Sequence, residues 1–164
     1  MKKLILQFIL LFLFTIISNA QNQLDSLWKE IAFAKKSSCL LGTQYSFERK
    51  GERFKQTIFN KAPWQLFIDN HTAITTPFLL EKLADTTKTS VHICPFMVAS
   101  NGELAVYALQ QTHKINWYDF EIFSNYANRD ITSGTDNHQV WLQKILSDDS
   151  ERKKLESLFR KLLD

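Results

Sequence analysis

The sequence predicts an all-α domain in which several antiparallel helices pack as hairpins around an aromatic-rich core. Three observations carry this expectation. Breakers are scarce, with 4 Gly and 3 Pro in 164 residues, fewer than the many tight turns of a β-sandwich need. Apolar residues recur at helical spacing in several stretches, and no stretch alternates clearly. Ser100-Asn101-Gly102-Glu103 is a helix-start signature, a serine cap with a glutamate three residues later. Thirteen Phe and 4 Trp supply ample material for a core.

The chain opens with Met1, Lys2 and Lys3. An apolar run from Leu4 to Ile17 follows, broken only by Gln7 and Thr15, and then Ser18, Asn19, Ala20 and Gln21. A basic start, an apolar core and a small-residue exit make an export signal, residues 1–20, with cleavage expected after Ala20. The run is shorter than the ~20 residues a spanning helix needs. No Cys follows it to take a lipid, so no stable membrane anchor is expected after cleavage. The expected mature unit is one helical domain, 21–164, in an extracytoplasmic compartment. Cleavage removes two lysines and no acid, so 18 bases face 17 acids and the net charge falls from +3 to +1. Such a balance excludes the basic footprint of a nucleic-acid binder.

Leu24, Leu27, Trp28, Ile31, Ala32 and Lys35 share one helical face, which Ser37 and Ser38 end. Cys39 to Lys50 is poorly periodic. A second helix is expected from Gly51 towards Lys61, and a short apolar run spans Trp64 to Ile68. Thr76 reads as a cap with Pro77 as the first helical residue, ahead of Phe78, Leu79, Leu80, Leu83 and Ala84. Lys88 to Met97 is expected to be extended or looped. The capped helix then carries Leu104, Ala105, Tyr107, Ala108 and Leu109 to about Gln111. Trp117 to Tyr126 is expected as a helix or tight turn into the core, and Asn128 to Asn137 as a loop. Two helices close the chain. One carries Val140, Trp141, Ile145 and Leu146, and the other Leu155, Leu158, Phe159, Leu162 and Leu163. Acids in the first turn of the last helix and Arg160 and Lys161 near its end match the helix dipole.

Leu79-Leu80-Glu81-Lys82-Leu83-Ala84-Asp85-Thr86-Thr87, with Gly102-Glu103-Leu104-Ala105-Val106-Tyr107-Ala108-Leu109-Gln110, resembles a segment of uncharacterised exported bacterial proteins. It also resembles a HEAT-like helical hairpin, which implies an all-α fold of paired antiparallel helices, HEAT-like or an irregular bundle. The resemblance covers roughly a third of the mature chain and implies no activity.

Four positions stand out for chemistry. His92 and Cys94 lie two apart, so in an extended segment they face the same way and could bind a metal or form a thiol–imidazole dyad. The other reading is a structural connector. Trp117 and Asp119, with Tyr118 and Glu121, could form a sugar-stacking platform with acid–base carboxylates, or simply core. Cys39 and Cys94 form a candidate disulfide in an oxidising compartment, and two buried thiols are the alternative. Asp130, Thr132, Gly134 and Asp136 lack the spacing of a calcium loop. Basic clusters such as Arg152-Lys153-Lys154 sit among acids and read as solvated helix faces.

No nucleophile elbow, phosphate loop or dinucleotide fingerprint is present in the sequence, and no cofactor is expected. The leading expectation is an exported, non-catalytic protein that binds a protein or other macromolecule of the envelope. The alternatives are an envelope hydrolase or carbohydrate-active protein, or an immunity-type inhibitor of a secreted toxin.

Overall fold

A computed structural model describes residues 21–33, 38–39, 62–69, 72–94, 97–131 and 133–163. The expected export signal, the helix expected from Gly51 to Lys61 and His71 lie outside the described residues. Residues 21–32 form helix α1. Leu24, Trp28, Ile31 and Ala32 are buried along its inner face, as their spacing requires. Helix α2, Ala62–Asp69, buries Trp64 and Phe67. Trp28 meets Trp64, Phe67 and Phe78 at ring-centroid distances of 6.2, 5.4 and 6.0 Å. One aromatic cluster thus joins α1, α2 and helix α3, Thr72–Lys82.

Helix α3 starts four residues before the expected cap. Pro77 lies inside it, where it has no amide proton to give to the i→i−4 ladder. Thr76 is buried rather than capping, and its hydroxyl lies 2.8 Å from His113 Nε2.

The expectation of an all-α fold is overturned by a small sheet. Strand β2, Lys88–Cys94, pairs antiparallel with β3, Met97–Ser100, and parallel with the short β1, Ser38–Cys39. The strand order is β1-β2-β3. The chain remains mostly helical. Thr89, Val91 and Ile93 are buried, whereas Ser90 and His92 between them are half-exposed. This is the period-2 pattern of a one-sided strand built from β-branched residues. Side chains reinforce it: Thr89 Oγ1 donates to the Ala99 carbonyl at 2.9 Å, and Ser90 Oγ donates to the Ala32 carbonyl at 3.1 Å, fastening the sheet to α1. The HEAT-like hairpin is corrected in the same way. Helices α3 and α4 do pack together, but the link between them contains the strands.

Helix α4, Asn101–His113, is the centre of the molecule. Every residue from Asn101 to Gln111 is buried, and α2, α3, α5 and β3 surround it. A helix covered on all sides needs no polar stripe, which is why its apolar pattern is so full. Ser100 Oγ accepts from the Glu103 amide at 3.2 Å, as the start signature predicts. The Glu103 carboxylate does not reach back to close the box. It accepts from Tyr107 Oη at 2.6 Å and from Gln143 Nε2 at 3.2 Å. Lys114 ends the helix in the left-handed region, φ 56°, and its amide donates to the Gln110 carbonyl.

The expected helix or turn after α4 is two 3-10 helices, Trp117–Asp119 and Glu121–Tyr126. Helix α5, His138–Ser147, is capped by Asn137, and helix α6, Asp149–Arg160, by Asp148. A last 3-10 turn spans Lys161–Leu163. Phe159 meets Phe120 edge to face at 5.0 Å, docking α6 on the 3-10 segment. Among the described residues no helix is long and apolar enough to cross a membrane.

Candidate functional site

The residues singled out in the sequence fall in two separate elements. His92 is half-buried on β2, whose parallel register sets Cys39 opposite it, with Cys94 two residues further along. The side chains of Cys39 and Cys94 lie outside what is described, and with them the expected disulfide and thiol–imidazole pair.

Trp117 and Asp119 sit on the first 3-10 turn, and both serve the fold. Trp117 is 2% exposed. Its ring packs on Tyr118, Phe123 and Tyr126 at 5.3, 6.0 and 5.2 Å. Its amide donates to Gln110 Oε1 at 3.0 Å. A ring so enclosed offers no face to a sugar. Asp119 Oδ2 accepts from the Asn116 amide at 2.9 Å and from Asn116 Nδ2 at 3.1 Å, which closes the turn.

The loop with Asp130, Gly134 and Asp136 is tied to α5 instead of opening around a cation. Asp136 Oδ1 accepts from Trp141 Nε1 at 2.6 Å and from Arg129 at 3.0 Å, and Arg129 lies 4.6 Å over the Trp141 ring. His138 Nε2 donates to the Tyr126 carbonyl at 3.1 Å. Burial holds the His138 imidazole below its ordinary pKa, partly offset by that bond. Burial likewise lowers His113. Among the described residues no three His, Cys, Asp or Glu side chains are grouped to hold a metal ion.

A different surface has the shape of a site. Helix α6 carries two stripes. Leu155 and Phe159 face the core and are fully buried. Ser150, Lys153, Lys154, Ser157 and Leu158 recur at 0, 3, 4, 7 and 8 on the adjoining face, and Lys161 continues the stripe from the first residue of the last 3-10 turn. With Ile122 of the second 3-10 helix they line an open groove of about 460 Å³. Leu158 and Leu162 were expected with the core stripe. Leu158 is only half-buried and lines the groove, and Leu162 is 40% exposed. Leu163 is also half-buried, so three of the five expected residues fall at the margin of the stripe that a surface helix buries.

Every charged side chain in the groove lining is a lysine. Lys153 Nζ pairs with Asp149 at 2.6 Å and Lys154 Nζ with Glu151 at 2.6 Å, both one turn back on the same helix. The hydrogen bond from Lys153, with the charges of Lys153 and Arg152, holds the Asp149 carboxyl below its ordinary pKa despite slight desolvation. The remaining α6 cations are engaged elsewhere. Arg152 donates to the Leu146 carbonyl at 3.0 Å and also binds Asp149, and Arg160 pairs with Glu156 at 2.8 Å. Lys161 has no ion-pair partner among the described residues. Ile122 is 48% exposed and gives the groove an apolar wall. The arrangement offers ammonium groups, two hydroxyls and an apolar contact.

Sequence reasoning missed this surface by treating Arg152 to Lys154 as one solvated cluster. The signal was the spacing: a second stripe, offset from the core stripe, holding no acid. Only the position of Ile122 beside it makes that stripe a groove. Comparison with protein families, with curated proteins and with solved structures gave no match.

Proposed function

We propose that the chain is an exported, non-catalytic protein that binds another macromolecule of the cell envelope, with the α6 groove as its contact surface. The observation that carries this reading is the open groove of about 460 Å³, walled by a half-exposed isoleucine and lined by lysines and serines. Exposed apolar side chains rimmed by polar ones are the usual make-up of an interaction patch. The basic start and short apolar run of residues 1–20 support the extracytoplasmic location.

A photo-crosslinking residue at Ser157, in the groove, tests the reading in intact cells, with Glu81, exposed on α3, as the control position. A discrete adduct from Ser157 and none from Glu81 is the expected result. Equal adducts from both, or none from Ser157, would refute the assignment. Intact-mass measurement of the recovered protein should also show loss of the segment up to about Ala20. Retention of Met1 in a membrane fraction would contradict export.

A further inference from the structure

We propose that the groove on α6 takes an acidic peptide segment of a protein partner, with carboxylates meeting Lys153, Lys154 and Lys161 and an apolar side chain seated on Ile122 and Leu158. This inference rests on the binding reading above and names the chemistry of its partner.

Charge complementarity is the first argument. The three charged groups of the lining share one sign, and Lys161 has no ion-pair partner among the described residues to neutralise it. The pairs that Lys153 and Lys154 make with Asp149 and Glu151 do not close the groove. They are exposed pairs on one helix face, with lysine side chains 70% and 49% accessible. Such pairs contribute little and exchange readily for an incoming carboxylate. An ammonium also donates without the fixed fork of a guanidinium, so lysines suit a chain whose carboxylates arrive at irregular positions.

Shape is the second argument. The two apolar groups, Ile122 and Leu158, belong to one open lining together with the lysines and serines. A bilayer is reached by protruding apolar groups. Here only two apolar side chains stand among three lysines and two serines, room for one apolar side chain of a peptide and little for lipid insertion. Ser150 and Ser157 add hydroxyls that can bond a peptide backbone.

The probe is a short fluorescein-labelled peptide of alternating glutamate and leucine, titrated into the mature full chain and followed by anisotropy. Saturable one-to-one binding is expected, weakening several-fold between low and physiological salt. The combined variant Lys153→Gln, Lys154→Gln, Lys161→Gln should bind about tenfold more weakly. Ile122→Ser should weaken binding several-fold on its own. An unchanged urea midpoint in each variant shows that the fold is kept. Equal binding of a lysine–leucine peptide overturns the proposal, as does a lysine variant that binds like the parent. So does preferential, lysine-dependent binding to phosphatidylglycerol vesicles, which would assign the surface to membrane lipid. The broader reading fails separately. If the Ser157 adduct forms equally in the lysine variant, a macromolecule binds but is not held by acidic groups. If no adduct forms and no peptide binds, both readings fall.

Discussion

The junction where α3 hands over to α4 and the outer face of α6 are both rich in polar side chains, yet they are built on opposite terms. At the junction the polar groups are satisfied by one another around the buried Trp28 and Asn101, with Asp85 half-buried beside them. Trp28 Nε1 donates to Asn101 Oδ1 at 2.6 Å, and Asn101 Nδ2 donates to Asp85 Oδ2 at 2.6 Å. The Asp85 Oδ1 accepts from the Thr87 amide at 2.9 Å, and the Asn101 and Gly102 amides donate to the Thr87 and Asp85 carbonyls at 2.8 and 2.9 Å. Desolvation pushes the Asp85 carboxyl up, but its bonds from Thr87 and Asn101 outweigh that and leave it below the ordinary value. On α6 the ion pairs stay in solvent and within one helix. A buried polar network specifies one geometry because each lost partner is costly. An exposed one is cheap to rearrange. The comparison separates a region whose polar groups fix the packing of α3 on α4 from a face whose ion pairs can rearrange without disturbing it.

Substitutions sharpen that contrast, and the largest effect is expected at Gly102. A Cβ there would press on the backbone carbonyl of Leu83, well inside contact distance, and come within 3.2 Å of the Lys82 carbonyl oxygen. Neither is a flexible side-chain tip, so α4 must move away from α3. Gly102→Ala should cost about 3 kcal/mol, read as a fall in the urea midpoint. A midpoint within error of the parent would show that the helices are not in close approach.

Asn101→Ala comes next. It strands the Trp28 indole N–H in a site where Trp28 is 2% exposed and removes one bond from Asp85. A loss of about 2 kcal/mol is expected, with a shift in tryptophan emission. Ser100→Ala removes the single side-chain bond at the start of α4 and should cost about 1 kcal/mol.

Glu103 supplies a pH test. Its carboxyl is fully buried, and burial raises its pKa above the ordinary glutamate value despite bonds from Tyr107 and Gln143. A carboxyl raised in the folded state contributes stability that is fully present below its unfolded pKa. That contribution is lost as pH rises through the folded pKa. The parent should therefore lose stability relative to Glu103→Gln as pH climbs from the acid range towards neutrality. Urea midpoints measured across that range check the sign, and a parent that gains stability relative to Glu103→Gln with rising pH would contradict it. The smallest effect belongs to the groove. Lys153→Gln breaks one exposed pair and should leave the midpoint unchanged within error. A clear destabilisation would mean that the stripe holds the fold and is not held in reserve.

The helical elements were legible because their signals are local. Leu24, Trp28 and Ile31 repeat at helical spacing and are buried. Asn137 and Asp148, which were not singled out as caps in the sequence, cap the last two helices by the same local rule, with side-chain bonds to nearby amides. The Ser100 cap works through a residue three positions away. Such signals involve neighbours within one turn, and the chain alone contains them.

What the tertiary structure decided depends on partners distant in sequence. Thr89, Val91 and Ile93 alternate, but five residues of alternation inside a helical chain are ambiguous until β1 and β3 supply edges to pair with. Thr76 reads as a cap until His113 takes its hydroxyl. Glu103 reads as half of a box until Tyr107 and Gln143 take its carboxylate. Trp117 and Asp119 look like a platform until Gln110 and Asn116 claim them. The groove follows the same logic, since the lysine stripe is written on α6 but its apolar wall, Ile122, comes from another segment. Periodicity shows which face of an element is apolar. Which groups satisfy a buried polar atom, or wall a recess, is set by packing between elements, and no local pattern encodes it.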